Sequence, residues 1–375
     1  MMNEQDATVL SSVASDGVFL PDFCEETGKP RVITVGGGKG GVGKTMFTVL
    51  LGLSLVKVNK RAVIVDADFR SPSMNSMLRV KTPQHSLKDF LSRQVADINA
   101  ILQLTSFKNL RLISGATGIL GMTEYCFSQC SHLISNLRSI DADFILIDLE
   151  SGTSREAIDL FLTADERIII ANPNPMSLQE NYAFLKLCQF KKLRDIFRRD
   201  PHMFSLIRRT FESNNSEDYQ ELKYELYEYS RLHSEISLDF LQPRLVLNMM
   251  RKPEEIMEIR AFQMVCRDLL DITLEYWGNI HYQDHMRTFV RSGDLQKLLS
   301  AKTIHTITQR LVNDVKIDGV LKRSDLKKQT INYFDRDDIT CSSHCSHWNK
   351  CIYQRGGYPC KLKYMGFLCT SGETT

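Results

Sequence analysis

No apolar run in this chain approaches the roughly 20 residues that a membrane-spanning helix needs, and the N-terminus lacks the basic-then-apolar layout of a secretory signal. The expectation is a protein made and kept in the cytosol. An excess of one charge is missing as well: 47 Lys and Arg against 45 Asp and Glu leave a net charge of +2. That excludes a polycation built to coat nucleic acid with its whole surface, while leaving local basic patches open. The ten cysteines include no C-x-x-C pair and no zinc-ribbon spacing. In a cytosolic chain they read as buried thiols or metal ligands rather than as a disulfide framework. What is present is ordinary for a soluble globular protein, with 43% hydrophobic and 25% charged residues. A length of 375 residues has room for one large α/β domain with an appendage, or for two modest domains.

The stretch that organises the rest is residues 36–45, GGGKGGVGKT. It follows the apolar run 31–35 and precedes the apolar, helix-like run 46–58, which gives strand, glycine loop and helix in the order a triphosphate requires. Gly38, Lys39, Gly40, Gly41, Val42, Gly43, Lys44 and Thr45 satisfy G-x-x-x-x-G-K-[ST]. The glycines allow positive φ and leave no Cβ between the peptide N–H groups and phosphate oxygens. Lys44 has the length to reach the β- and γ-phosphates, Thr45 offers its hydroxyl to Mg²⁺, and the following helix points its positive dipole end at the anion. Lys39 is a second cation inside the same cradle. Burying it beside Lys44 makes sense where phosphate charge meets it, and the bland alternative is a solvated loop lysine. With this second lysine the loop is a deviant Walker A motif, and the chain resembles the MinD/ParA family of dimerising ATPases. The resemblance implies that Lys39 crosses a dimer interface to the partner's nucleotide and couples ATP binding to dimerisation.

Further motifs follow in order. A second buried strand, 61–65, runs into Asp66 and Asp68, and carboxylates at the C-terminal end of a parallel strand lie where open α/β sheets bind ligands. The resemblance assigns Asp66 to the neighbourhood of Mg²⁺ and Asp68 to orienting the attacking water. Residues 69–78 look like the family's switch region leading into a short helix, with Arg70 either a phosphate-responsive residue or a surface arginine. Ser86 caps a short helix to residue 91, residues 109–114 form a strand, and a helix over about 123–139 sets Cys126 and Cys130 one turn apart, as buried structural thiols or as a ligand pair. The strand 143–148 ends in Asp148 as a Walker B element does, with a carboxylate that holds Mg²⁺ directly or through water. Residues 148–152, DLESG, depart from the family's D-x-P-x-G or D-x-G-x-G by placing Glu150 in the middle. An extra carboxylate there either weakens anion binding or polarises water, which leaves the hydrolysis rate open. Residues 152–181 resemble the flagellar-number-regulator branch of the family. The likeness runs from about residue 31 to residue 188 and returns near 244–248, where the resemblance makes Asn248 the adenine-recognising residue.

Between those blocks, residues 190–240 read as a charged helical insertion. Lys191, Lys192, Arg194, Arg198, Arg199, Arg208 and Arg209 precede a segment with Glu212, Glu217, Asp218, Glu221, Glu225, Glu228 and Glu235. Tyr219, Leu222, Leu226, Tyr229, His233 and Ile236 recur at steps of three and four, one apolar seam on the acidic helix. A hairpin whose basic and acidic arms face each other explains the charges, and a basic surface for DNA or anionic lipid is the alternative. Pro253 opens an amphipathic helix to about residue 274, residues 276–280 form a short strand, and 295–312 a closing helix. The alternation argues a mostly parallel, doubly wound α/β sheet of the P-loop NTPase type over 31–313, after a flexible arm, 1–30.

The segment 314–375 is set apart by Cys341, Cys345, Cys351, Cys360 and Cys369, with His344 and His347 nearby. Thiolates gathered where there is little core would gain stability from Zn²⁺ or an iron–sulfur cluster, with Cys341, Cys345, Cys351 and Cys360 as ligands; reduced packed thiols are the alternative. This tail stands where relatives often carry an amphipathic membrane helix. The expected function is an ATP-binding, Mg²⁺-dependent ATPase that forms a homodimer on ATP, is stimulated by a partner protein and acts in flagellar placement or number or in division siting, in the cytoplasm or peripherally on the membrane. An iron–sulfur carrier and a DNA-partition ATPase are the competing expectations.

Overall fold

The computed structural model describes residues 29–69, 72–115, 127–213, 216–232, 241–282 and 302–314. The chain divides into two units, residues 1–309 and 310–375, and the sheet lies in the first. Arg70, Cys126, His233, Ile236 and all the cysteines from Cys341 to Cys369 lie outside the described residues, as does most of the expected N-terminal arm.

Eight strands form one sheet in the order β3-β4-β2-β5-β1-β6-β7-β8. They are β1 (Arg31–Gly36), β2 (Ala62–Ala67), β3 (Leu102–Leu104), β4 (Leu110–Ile113), β5 (Phe144–Leu149), β6 (Glu166–Ala171), β7 (Arg244–Met250) and β8 (Glu275–His281). All neighbours run parallel except β3 on β4. Central strands of a parallel sheet are covered on both faces, so they must be apolar throughout rather than alternating. Every residue of β2 and β5 is accordingly buried, and each fully buried Val, Ile or Leu stabilises by about 1.5–3 kcal/mol. The three-residue edge strand β3 was not expected. It has one partner only, and Leu104 at its end is exposed.

Helix α1 (Lys44–Lys57) buries residues around its whole circumference, from Phe47 through Leu55. Gly52 lets it approach β2 closely, since a Cβ there would lie 2.9 Å from Ile64 Cδ1. The switch helix α2 (Met74–Leu78) is one turn long, and α3 (Leu87–Leu91) starts at Ser86 as expected. There the Asp89 carboxylate accepts from both the backbone N–H and the hydroxyl of Ser86, at 2.7 and 2.8 Å. Cys130 on α4 (Phe127–Leu137) is a buried thiol. Helix α5 (Arg155–Thr163) is capped by the Ser154 hydroxyl, which accepts from Ala157 N–H.

Among the described residues the charged insertion is helical, in the end of α6 (Pro175–Ile196) and in α7 (Pro201–Ser213) and α8 (Ser216–Leu232). The expected opposition of basic and acidic arms holds for α7 against α8, where Arg209 pairs with Asp218 at 3.2 Å and with Glu221. Lys191, Lys192 and Arg194 belong instead to the last turns of the 22-residue α6. Lys191 reaches across to Asp159, fully buried on α5, at 3.0 Å. The seam of α8 packs as its spacing requires, with Leu222 and Leu226 buried, Tyr219 tilted on Phe211 and Tyr229 edge-on to Phe197. After β7, a single turn at Pro253–Glu255 leads into α9 (Ile256–Leu270). That helix ends short of residue 274 because Asp271 takes a left-handed conformation, φ 54°. Helix α10 (Lys302–Asp314) is the described part of the closing helix.

Candidate functional site

The connection reverses direction at β1. From it the chain winds outward to β2 and β4 on one side, and later to β6, β7 and β8 on the other. A crevice at the C-terminal ends of the strands is the outcome, and open α/β sheets bind ligands at such a point. The loop 37–43 lies there, between β1 and α1. Gly41 and Gly43 take positive φ, 75° and 89°, values that L side chains rarely adopt. Gly38 is required for a different reason: a Cβ on it would sit 2.0 Å from the Glu180 carbonyl oxygen.

Two asparagines from distant parts of the chain hold this loop. Asn181 on α6, fully buried, accepts from the Gly38 N–H at 2.8 Å and donates to the Ile170 carbonyl at 3.2 Å. Asn248 on β7 donates from its amide to the Val42 carbonyl at 2.7 Å and accepts from Met249 N–H at 2.9 Å. It is packed beneath Gly43, where a Cβ would meet its Nδ2 at 2.4 Å. Asn248 thus braces the loop from below. The strand does not end at it but continues to Met250 through a register irregularity.

The charged residues gather on the side of β2 and β5. Thr45, at the start of α1, donates its hydroxyl to Asp148 at 2.6 Å, and the Thr48 hydroxyl lies 3.3 Å from the other carboxylate oxygen. Asp66 and Asp148 are partners in register across β2 and β5. Burial, chiefly, pushes Asp148 up to about 7, with the neighbouring Asp66 adding to the shift and Thr45, Lys44 and Thr48 opposing it. Asp66 is pushed up to about 6 by burial, against three backbone N–H groups that donate to it, from Met74, Asp68 and Ser73. Through Ser73 and Met74 this carboxylate also ties β2 to the start of the switch helix. Lys44 is buried, and its Nζ donates to the Lys39 carbonyl at 3.2 Å. Desolvation lowers its pKa while Asp148, Asp68 and Glu150 hold its charge. Glu150 is itself buried, and the adjoining Ser151 hydroxyl approaches Gly40. Lys39 stands apart from this group, at the rim, 2.8 Å from Glu180.

Two buried carboxylates with raised affinity for protons, beside a hydroxyl already aimed at one of them, are a donor set that a hard divalent cation would relieve. A glycine loop with a buried lysine is the matching cradle for phosphates. The residues present therefore fit Mg²⁺ and a nucleoside triphosphate. Among the described residues no group of three or more His, Cys, Asp and Glu side chains could hold a further metal ion.

A family model described as the NUBPL iron-transfer P-loop NTPase of the ParA group matches residues 29–194. Over those residues the chain is similar to the ParA-family P-loop NTPases. The chain is 32% identical over 172 residues to a putative septum site-determining protein MinD from Oltmannsiellopsis viridis, covering 45% of this chain and 54% of that protein. It is 29% identical over 159 residues to the antiactivator FleN of Pseudomonas aeruginosa, covering 42% and 56%. The chain thus spans about half the length of the curated relatives it matches. Among solved structures, MinD of Pyrococcus horikoshii with Mg-ADP superposes with a TM-score of 0.52 at 18% identity, over 77% of this chain and all of that one. Apo McdA of Cyanothece gives 0.53 at 15% identity, over 75% and 99%. These likenesses establish the doubly wound fold. No helix among the described residues is long and apolar enough to cross a membrane.

The structure brings Lys44, Thr45, Asp66, Asp68 and Asp148 together around the loop, with Asn248 beneath it. Two residues of the site, Glu180 and Asn181, had no local signal. Both act on a loop more than 140 positions earlier in the chain.

Proposed function

We propose that this protein is an ATP-hydrolysing switch that pairs with a second copy of itself when Mg·ATP is bound, in the manner of spatial regulators of flagellar number or of the division site. The observation that carries this reading is Lys39: a second loop lysine that stays out of the acidic cluster and stands at the rim, 35% exposed. Lys44 and the loop N–H groups would hold the phosphates, Thr45, Asp148 and Asp66 the Mg²⁺, and Asn248 the base. Bound Mg²⁺ supplies the charge that lets both buried carboxylates ionise. Asp68, half-buried beside Lys44, has the position to orient water. Lys39 reaches the nucleotide of the other copy, so the site is complete only in the pair. Cytoplasmic protein that associates peripherally with membrane, and a partner that stimulates hydrolysis, belong to the same reading.

Steady-state ATPase measured against protein concentration tests it. The rate per chain should rise with concentration for the wild type and stay flat and low for Lys39→Ala. A rate per chain independent of concentration and of Lys39 removes the paired site.

A second reading, an iron–sulfur carrier, is favoured by the iron-transfer description of the matching family model and by the cysteine-rich segment after residue 340. Anaerobic purification separates the two readings: a brown protein with cluster absorbance supports the carrier, and a colourless one supports the switch.

A further inference from the structure

Glu150 is the acidic residue of the site to which neither Mg²⁺ nor water, as placed above, gives a task. Leu149 is the last residue of β5 in register with β2, opposite Ala67, so Asp68 and Glu150 come next on the two strands. Side chains alternate between the faces of a sheet, and that step returns both to the face of Asp66 and Asp148. Their effect on Lys44 agrees, since Asp148, Asp68 and Glu150 all hold its charge. The segment is fixed on the loop side as well: a Cβ on Gly40 would lie 3.3 Å from the hydroxyl of Ser151, the next residue. Glu150 is 9% exposed, whereas Asp68 is half-buried. Water therefore has its access at Asp68, and Glu150 is enclosed with the lysine.

In a loop of this kind the lysine bridges the β- and γ-phosphates. A carboxylate close enough to steady Lys44 is thus close to the place a γ-phosphate takes, and two anions enclosed together repel strongly because little water screens them. Mg²⁺ would offset Asp66 and Asp148, but the same Lys44 would have to answer both Glu150 and the γ-phosphate. A diphosphate leaves that place open and the lysine with its carboxylate. We propose that Glu150 is a specificity-determining residue: it opposes the γ-phosphate, lowers the affinity for ATP relative to ADP, and lets a single chain rest with the diphosphate. The inference rests on the nucleotide site proposed above and adds to it the residue that selects between the two nucleotides. Of the two effects this glutamate leaves open in the sequence, it acts through weakened anion binding and not through polarised water.

Displacement of a fluorescent ADP derivative from the full chain, by ADP and by a non-hydrolysable ATP analogue with Mg²⁺ present, gives the two affinities; dilute protein keeps pairing out of them. Removing one enclosed negative charge should tighten the triphosphate about tenfold. Glu150→Gln is expected to lower the Kd of the ATP analogue by that factor and to leave the Kd of ADP within about twofold. Glu150→Ala should shift the ratio in the same direction, and Glu150→Asp, which keeps the charge, should hold it near the wild type. A wild type that does not take up the fluorescent ADP defeats the nucleotide site itself. A wild type that binds it, with the ratio of the two Kd values unchanged in Glu150→Gln and Glu150→Ala, or with both values moved by the same factor, leaves the nucleotide site standing and overturns the inference. Slower phosphate release with no change of ratio overturns it too, and assigns Glu150 to the water.

Discussion

Replacing Asp148 by Asn should make the nucleotide-free protein more stable at alkaline pH. Burial, with Asp66 beside it adding to the effect, pushes this carboxyl from the ordinary 3.8 up to about 7. Each decade of acidity is worth about 1.4 kcal/mol, so ionising Asp148 in the fold costs about 4 kcal/mol. The sign follows from proton counting. The folded state holds this proton more tightly than the unfolded chain, so the stability it contributes is complete below about pH 4 and is lost as pH rises through 7. Asparagine does not ionise and escapes the loss. Asparagine has one acceptor oxygen where the carboxylate offers Thr45 and Thr48 two, so weakening one bond and losing the other gives back about 2 kcal/mol and leaves a net gain of about 2 kcal/mol at pH 8. For a unit of 309 residues that is a rise in Tm of about 3 °C at pH 8, and almost no change at pH 5. Differential scanning calorimetry of both proteins, free of Mg²⁺ and nucleotide, reads it directly. An equal change at both pH values, or a lower Tm for Asp148→Asn at pH 8, would refute the account of these carboxylates as strained by burial and relieved by a cation.

Other perturbations separate the parts of the site. Lys44→Ala should abolish binding of a fluorescent ATP derivative, while circular dichroism stays that of the wild type. Asn181→Ala leaves the Gly38 N–H and the Ile170 carbonyl without their buried partner, which should cost about 2–4 kcal/mol in urea unfolding and weaken nucleotide binding. Asp68→Ala should bind ATP and stop releasing phosphate; undiminished turnover would reject its role with water.

The sheet was legible because buried parallel strands have no alternative to being apolar. Residues 31–35, 61–65 and 143–148 announce β1, β2 and β5, and the acids that follow mark the ligand-binding ends. Helix α3 was legible from a local cap, Ser86 with Asp89. Edge strand β3 was not, since three residues with one partner carry no period. Helix α9 stops at a left-handed Asp271, a conformation that no spacing encodes. The loop glycines were read as room for phosphates, and two of them prove also to be room for protein, Gly38 against Glu180 and Gly43 against Asn248. Those contacts join segments far apart in sequence, so only the fold reveals them. For the same reason the insertion's charges were assigned to one hairpin, although Lys191 turns back to a buried Asp159 on another helix.

The central claim is that triphosphate makes two copies share their sites through Lys39. Light scattering gives the molar mass with and without Mg²⁺ and a non-hydrolysable ATP analogue. The account predicts a doubling for the wild type and a single chain for Lys39→Ala that still binds the analogue. One chain in both conditions for the wild type, or a doubling that survives Lys39→Ala, would contradict it.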